Sequence, residues 1–426
     1  MTQMTEVDRV LRQAAEAQQI PGVVAMAASR SDVIYQGAFG RRDLARPDAM
    51  TADSVFWIAS MTKAITTAAG MQLVEQGKLA LDAPIGKLLP ELAAPQVFEG
   101  FDTSGKPKLR PARRPITLRH LMTHTAGYCY NIWNAAMGQY MEHAGIPGIT
   151  TCENKALTLP LASDPGERWE YGINIDWVGK AVEAASGQRL DAYLKDHILA
   201  PLGMQDTGFK LGASQRDRLV GMHQRGADGA LTPVPFEMAQ EPEFHMGGGG
   251  LYGTAPDYIR FVRMLLSGGT LDGNRVLEAA TVKAMGENHI GALNVIKMTT
   301  AAPEASNDFD PWPGPRQEVG PRLHDQHASD ARGPQPRQPR LGGARQYLFL
   351  GRPRARRRRR DHDAAAAVRR RQGDGAVRRT GARGVSQPGW HEGGRIGACL
   401  LVYRAVSFDT CRTWNQLPTR VIAHAT

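Results

Sequence analysis

A chain of 426 residues, 42% of them hydrophobic, is long enough to bury one large core or two closely joined ones. No run of 18 apolar residues is present, which argues against a membrane span, and the four cysteines (Cys129, Cys152, Cys399, Cys411) lack both metal-site spacing and disulfide density. The net charge of +10 invites a nucleic-acid partner, but 19 Arg, no Lys and 6 acidic residues fall between positions 316 and 383, so that stretch carries +13 and the rest −3. The charge is one local feature on a mildly acidic body, and no nucleic-acid partner is expected.

Residues 5–19 read as an amphipathic helix, with Val7, Val10, Leu11 and Ala14 at i, i+3, i+4 and i+7. Its polar character is unlike a signal peptide, so a soluble, cytoplasmic protein without membrane contact is expected. GVVAMAAS (22–29) and DVIYQGAFG (32–40) form a strand pair turning at Arg30-Ser31. From Ser60 to about Gln76 the stripe Ile65, Ala68, Ala69, Leu73 and Val74 predicts a helix closed by Gly77. LDAPIGKLLPEL is a short helix or turn segment near Pro90. ITLRHLMTHTAG (116–127) is a helix with a glycine turn, and residues 174–187 and 189–203 are two more helices. HMGGGG then leads into a helix with Thr254 at its N-cap and Pro256 in its first turn. With no βαβ alternation and no GxGxxG, the pattern to about residue 310 is a mixed α/β protein: an antiparallel hairpin and a mostly helical body.

Ser60 and Lys63 share one helix face, three residues apart. A hydroxyl at a helix start lies near unpaired backbone N–H groups, which favour developing negative charge. The lysine can take the serine proton only if burial or a nearby cation lowers its pKa. The bland alternative is a capping serine beside a solvated lysine. Tyr171, between a Pro-Gly loop and a helix, is either a half-buried aromatic or a proton relay. His120 and His124 stand at i and i+4 with no intervening Glu of an H-E-x-x-H pattern, so a structural network is expected rather than zinc. Asp176 reads as structural. Tyr128, Tyr130 and Trp133 are candidates for one wall of an apolar pocket, and His245 for its lining. The glycines at 247–250 serve either close backbone approach, Gly248 among them, or a flexible turn.

Four motifs in order carry a family resemblance. They are Ser60-Met61-Thr62-Lys63 within FWIASMTKAITTAAGMQLVEQGKLALDAPI, LRHLMTHTAG, Tyr171-Gly172-Ile173 after PGERWE, and MGGGGLYGTAPDYIRF. Together they resemble the serine beta-lactamase-like esterases, relatives of class C beta-lactamases and D-alanyl-D-alanine peptidases. The resemblance implies a beta-lactamase/transpeptidase-like fold, an antiparallel sheet flanked by a large helical region. It also implies hydrolysis of short- to medium-chain carboxylic esters through an acyl-enzyme, with Ser60, Lys63 and Tyr171 catalytic and no metal or organic cofactor. Ile173 stands where lactamases and peptidases usually carry Asn, a departure that weakens a lactam-hydrolase reading. The rivals are lactamase or peptidase activity, acyl transfer to another nucleophile, and a non-catalytic penicillin-recognising or basic-tail binding protein. The implied partner is a small-molecule ester substrate.

The resemblance spans residues 5 to about 310, and residues 1–312 are expected to form the catalytic body. Family members then return to the sheet with strands near the nucleophile, marked in many esterases by Trp-Ala-Gly or Trp-Gly-Gly; residues 313–426 hold an atypical Arg-rich segment instead. QPRLGGARQYLFLGR (338–352) can be back-translated so that a one-base shift gives S-L-A-W-A-G-L-A-N-T-Y-F-W-V, and residues 314–327 give a second family-like strand. This predicts that the reading frame is left at or shortly before Gly314. If the chain exists as printed, edge strands and one oxyanion donor are expected to be missing.

Overall fold

The computed structural model describes residues 2–226, 228–303, 305–310 and 399–404. The reading-frame expectation, and most of the Arg-rich segment, therefore lie outside the described residues. The N-terminal helix α1 (Thr2–Glu16) precedes β1 (Gly22–Ala28) and β2 (Val33–Gly40), which pair antiparallel around a turn where Ser29 N–H donates to Asp32 O at 2.8 Å. Next come β3 (Phe56–Trp57), a 3-10 turn over Ala59–Met61, and α2 (Thr62–Glu75). A hairpin, β4 (Gln96–Phe101) and β5 (Pro107–Pro111), precedes α3 (Leu118–Met122), α4 (Ala135–Ala144), α5 (Asn174–Ser186) and α6 (Leu190–Leu194). After α7 (Ala213–Asp217) the hairpin β6 (Met222–Arg225) and β7 (Leu231–Val234) leads to β8 (Tyr252–Gly253) and α8 (Ala255–Leu266). The small ribbon β9 (Thr270–Leu271) and β10 (Asn274–Arg275), then α9 (Ala279–Met285), complete the body, and β11 (Cys399–Arg404) follows far along the chain.

β1 is the central strand of a three-stranded sheet ordered β11-β1-β2. Alternation along β1 explains why it is buried on both faces. Val23 and Ala25 pack with Leu11, Ile20 and Tyr35 under α1. Val24, Met26 and Ala28 enter the main core, against which α8 packs. The pairing of β11 differs from the expectation that residues beyond 313 lack an edge strand: Val23 lies opposite Arg404 and Ala28 opposite Cys399.

α2 is the core helix. Ile65, Thr66, Ala68, Ala69, Met71 and Leu73 are all buried, so apolar surface surrounds it, and it packs against α5 and α6. Gly77 closes it with φ +68°, as the sequence suggests. Thr254 caps α8 by accepting from Asp257 N–H, and Thr117 caps α3 with the His120 ring reaching back to the Thr117 N–H. Cys129 and Cys152 are buried free thiols. No helix among the described residues is long and apolar enough to cross a membrane.

One short pairing positions the site. β3 lies antiparallel to β8, Phe56 opposite Gly253 and Trp57 opposite Tyr252, and Ile58 N–H donates to Leu251 O at 2.9 Å. The chain leaving β3 becomes the Ser60 turn, and the chain entering β8 is the glycine run. The two segments that carry Ser60 and Gly248 are thus laid side by side by main-chain bonds.

Candidate active site

Ala59 adopts φ +45°, a left-handed conformation costly for a residue with a Cβ. It turns the backbone so that Ser60 falls in the 3-10 turn immediately before α2, one step earlier than a simple helix start. Lys63, one turn on, is buried. Its Nζ donates to Ser60 Oγ at 3.2 Å, to Tyr130 Oη at 3.2 Å and to Gly248 O at 2.5 Å. Three acceptors match the three N–H donors of an ammonium. A neutral amine in the same seat keeps two donors and turns its lone pair to the serine hydroxyl. Burial pushes the Lys63 pKa down to about 8, with the Asp176 carboxylate acting in the opposite sense.

The glycine run is held by side chains of the segment beside it. Trp57 Nε1–H donates to Gly249 O at 2.6 Å, Lys63 to Gly248 O, and Thr66 Oγ1 to Gly247 O at 2.8 Å. On its far side Gly248 N–H donates to Asp176 Oδ1 at 2.8 Å. A Cβ at position 248 would stand 2.6 Å from Asp176 Oδ2, so only glycine permits this approach. Gly248 therefore belongs to the cluster through its backbone, as a seat for the amine. Burial raises the Asp176 pKa to about 6, and the Lys63 cation opposes that rise.

Tyr171 is buried with its ring centre 4.8 Å from Lys63 Nζ, and the Tyr130 ring lies 5.4 Å from the same atom. The two tyrosines meet edge to face at 5.4 Å. Their backbones explain the proximity: Tyr130 N–H donates to Tyr171 O at 3.0 Å. Trp133 packs 5.7 Å from Tyr171, and its indole N–H donates to Asn307 O at 3.1 Å. His124, at φ +57°, lies 4.8 Å from Tyr171 and accepts at Nδ1 from Asn174 Nδ2 at 3.0 Å. Burial first, then the Lys63 charge, holds His124 well below the usual imidazole range, so it is neutral. Asn174 also donates to Tyr128 O and Glu170 O, tying together the two segments that carry the tyrosines.

Ser60, Lys63, Tyr171, Gly248 and Trp133 thus fall in one cluster. Tyr128 and His245, expected to line a pocket, engage other partners. The Tyr128 ring stacks on Trp177 of α5 at 6.4 Å, in the core. His245 pairs with Asp191 at 3.1 Å and Arg189 at 3.1 Å and packs on Phe209, fastening the glycine run to the start of α6. Tyr130, a pocket-wall candidate in the sequence, meets Lys63 directly through its hydroxyl, and Asp176, which reads as structural there, stands behind Gly248. Neither sits in a spacing that marks it; both arrive through contacts distant in sequence.

A family model described as Beta-lactamase matches residues 7–331, ending inside the Arg-rich stretch. The acyltransferase mokF of Monascus pilosus is 37% identical over 301 residues, covering 66% of this chain and 70% of that protein. Lovastatin esterase of Penicillium rubens is 33% identical over 295 residues, covering 67% and 73%. Among solved structures, unliganded simvastatin synthase (LovD) from Aspergillus terreus superposes with a TM-score of 0.60 at 33% identity, covering 69% of this chain and 73% of that one. The relatives extend beyond the part they share with this sequence; the family model spans more than half of the chain, and on that ground the chain belongs to the Beta-lactamase family.

Proposed function

We propose that this protein is a serine carboxylesterase that acts on small ester molecules through an acyl-enzyme on Ser60. The observation that carries the reading is the buried Lys63 amine, seated between Ser60 Oγ, Tyr130 Oη and Gly248 O. Neutral Lys63 takes the Ser60 proton as Oγ bonds to the ester carbonyl carbon. Collapse of the tetrahedral adduct expels the alcohol, which receives a proton through the Lys63–tyrosine cluster. Water then attacks the acyl-enzyme, its proton passing to the same amine, and the carboxylic acid leaves as Ser60 is restored. The reaction as drawn calls on no metal or organic cofactor. Tyr171 and Tyr130 both flank the amine, and the relay of the proton is assigned to this pair.

Hydrolysis of short-chain nitrophenyl esters tests this. Ser60→Ala should abolish turnover, Lys63→Ala should lower kcat by about a hundredfold or more, and Tyr171→Phe and Tyr130→Phe should each lower it strongly. A covalent fluorophosphonate adduct on Ser60, lost in Lys63→Ala, is expected; no adduct on folded wild-type protein refutes the reading. A second reading, transfer of the acyl group to an alcohol, is favoured by the acyltransferase mokF among the relatives. Added alcohol that diverts product from acid to new ester, at unchanged acylation rate, distinguishes it from hydrolysis alone.

A further inference from the structure

We infer that Asp176 is a positioning residue for Lys63: it fixes, through the Gly248 backbone, the carbonyl that seats the amine, and it supplies the buried counter-charge. The inference rests on the acyl-enzyme reading. Asp176 is fully buried in the first turn of α5. Carboxylates are rarely enclosed without a compensating partner, because desolvating the charge costs several kcal/mol, roughly. Its Oδ1 accepts from Gly248 N–H at 2.8 Å, while Oδ2 has no hydrogen-bond partner among the described residues. A purely structural carboxylate would be expected to satisfy both oxygens.

The link to the amine is short. Gly248 is bonded at both ends: its N–H donates to Asp176 Oδ1 at 2.8 Å and its C=O accepts from Lys63 Nζ at 2.5 Å. The neighbouring carbonyls of Gly247 and Gly249 are fixed by Thr66 and Trp57, so Asp176 is the side chain that sets the middle of the run. Around Lys63 the titratable groups are Tyr130, Tyr171, the neutral His124 and Asp176; around Asp176 they are Lys63 and the Cys152 thiol. Asp176 is therefore the acidic member of the cluster. Its negative charge favours the ammonium, and removing it makes Lys63 shed its proton at lower pH.

Asp176→Asn retains an acceptor for Gly248 N–H and removes the charge. The expected result is an acid limb of the kcat/KM profile displaced to lower pH by about one unit, with KM little changed. Asp176→Ala removes acceptor and charge together, so the limb should move as in Asp176→Asn while kcat on the alkaline plateau falls about a hundredfold. Because a buried substitution can compromise folding, each variant is checked by its thermal midpoint and by fluorophosphonate labelling of Ser60. Gly248→Ala provides a second route: it keeps the charge but pushes Asp176 away, so kcat should fall about tenfold or more with the limb held nearer its wild-type position. An unmoved limb in folded Asp176→Asn, or wild-type kcat in folded Gly248→Ala, overturns the inference. If wild-type protein gives no Ser60 adduct, the acyl-enzyme reading fails first and takes this one with it.

Discussion

Lys63 has its proton affinity set by burial, and that fixes the pH at which the serine can be activated. With a pKa of about 8, about one tenth of the amine is neutral at pH 7; an unshifted lysine would be neutral in roughly one molecule in three thousand. The neutral form is the base, so kcat/KM should rise with pH through a midpoint near 8 and fall below it; a flat profile across that range counts against Lys63 as the base. The histidines give a stability counterpart. Burial lowers the pKa of His120, His124, His223 and His245, so the folded state binds fewer protons than the unfolded one near the usual value of 6.5. The stability this represents is fully present above that value and is lost as pH falls from it through the lowered folded-state values. Chemical denaturation midpoints should therefore drop on acidification below about 6.5, and His124→Asn, which tolerates the left-handed backbone, should flatten part of that dependence.

Among elements, α2 and the tyrosine segments do different work. α2 is surrounded by core, so its placement is robust and Leu73→Ala is an ordinary cavity substitution costing about 2–5 kcal/mol. The tyrosines depend on a tighter contact. A Cβ at Gly172 would stand 2.5 Å from both Cys129 Cα and Tyr128 O, atoms of backbone that cannot step aside. Gly172→Ala should separate residues 128–130 from 171–172, lowering kcat by about tenfold or more with a smaller loss of thermal stability. Equal wild-type activity in that variant would show that the spacing of Tyr130 and Tyr171 is immaterial. These elements were unequally legible. The helices with legible ends, α5 and α2 closed by the left-handed Gly187 and Gly77 and α8 opened by the Thr254 cap, follow from apolar spacing and local end signals. The hairpin β4–β5 does not, because its register breaks between Phe98 and Phe101 and interrupts the period of two. The two-residue pairing β3–β8 is too short to carry any period, although it is what assembles the site.

For the chain as a unit, the decisive question is what lies beside β1. Its N–H and C=O groups are paired on one side by β2 and on the other by β11, from far along the sequence. An exposed strand edge templates association with other chains. Deletion from residue 399 onward should therefore lower solubility and thermal stability, measured by light scattering and calorimetry; unchanged behaviour would mean β11 adds nothing. We propose that the reading frame is left at or shortly before Gly314, upstream of both the Arg-rich stretch and β11. Gene sequencing with peptide mass analysis decides that: an uninterrupted frame and peptides matching the printed text would refute it.

Local chemistry in the sequence carried the antiparallel hairpin, the cap residues, the helix bearing Lys63, and the family resemblance on which Ser60 and Tyr171 were chosen. These rest on interactions between residues a few positions apart, which spacing records. Which tyrosine hydroxyl meets the amine, which carbonyl seats it and which carboxylate stands behind that carbonyl were settled by packing. Tyr130, Gly248 and Asp176 reach Lys63 across 67, 185 and, through Gly248, 72 further positions. Contacts of that reach leave no periodic trace, and only burial of the shared core brings their partners within bonding distance.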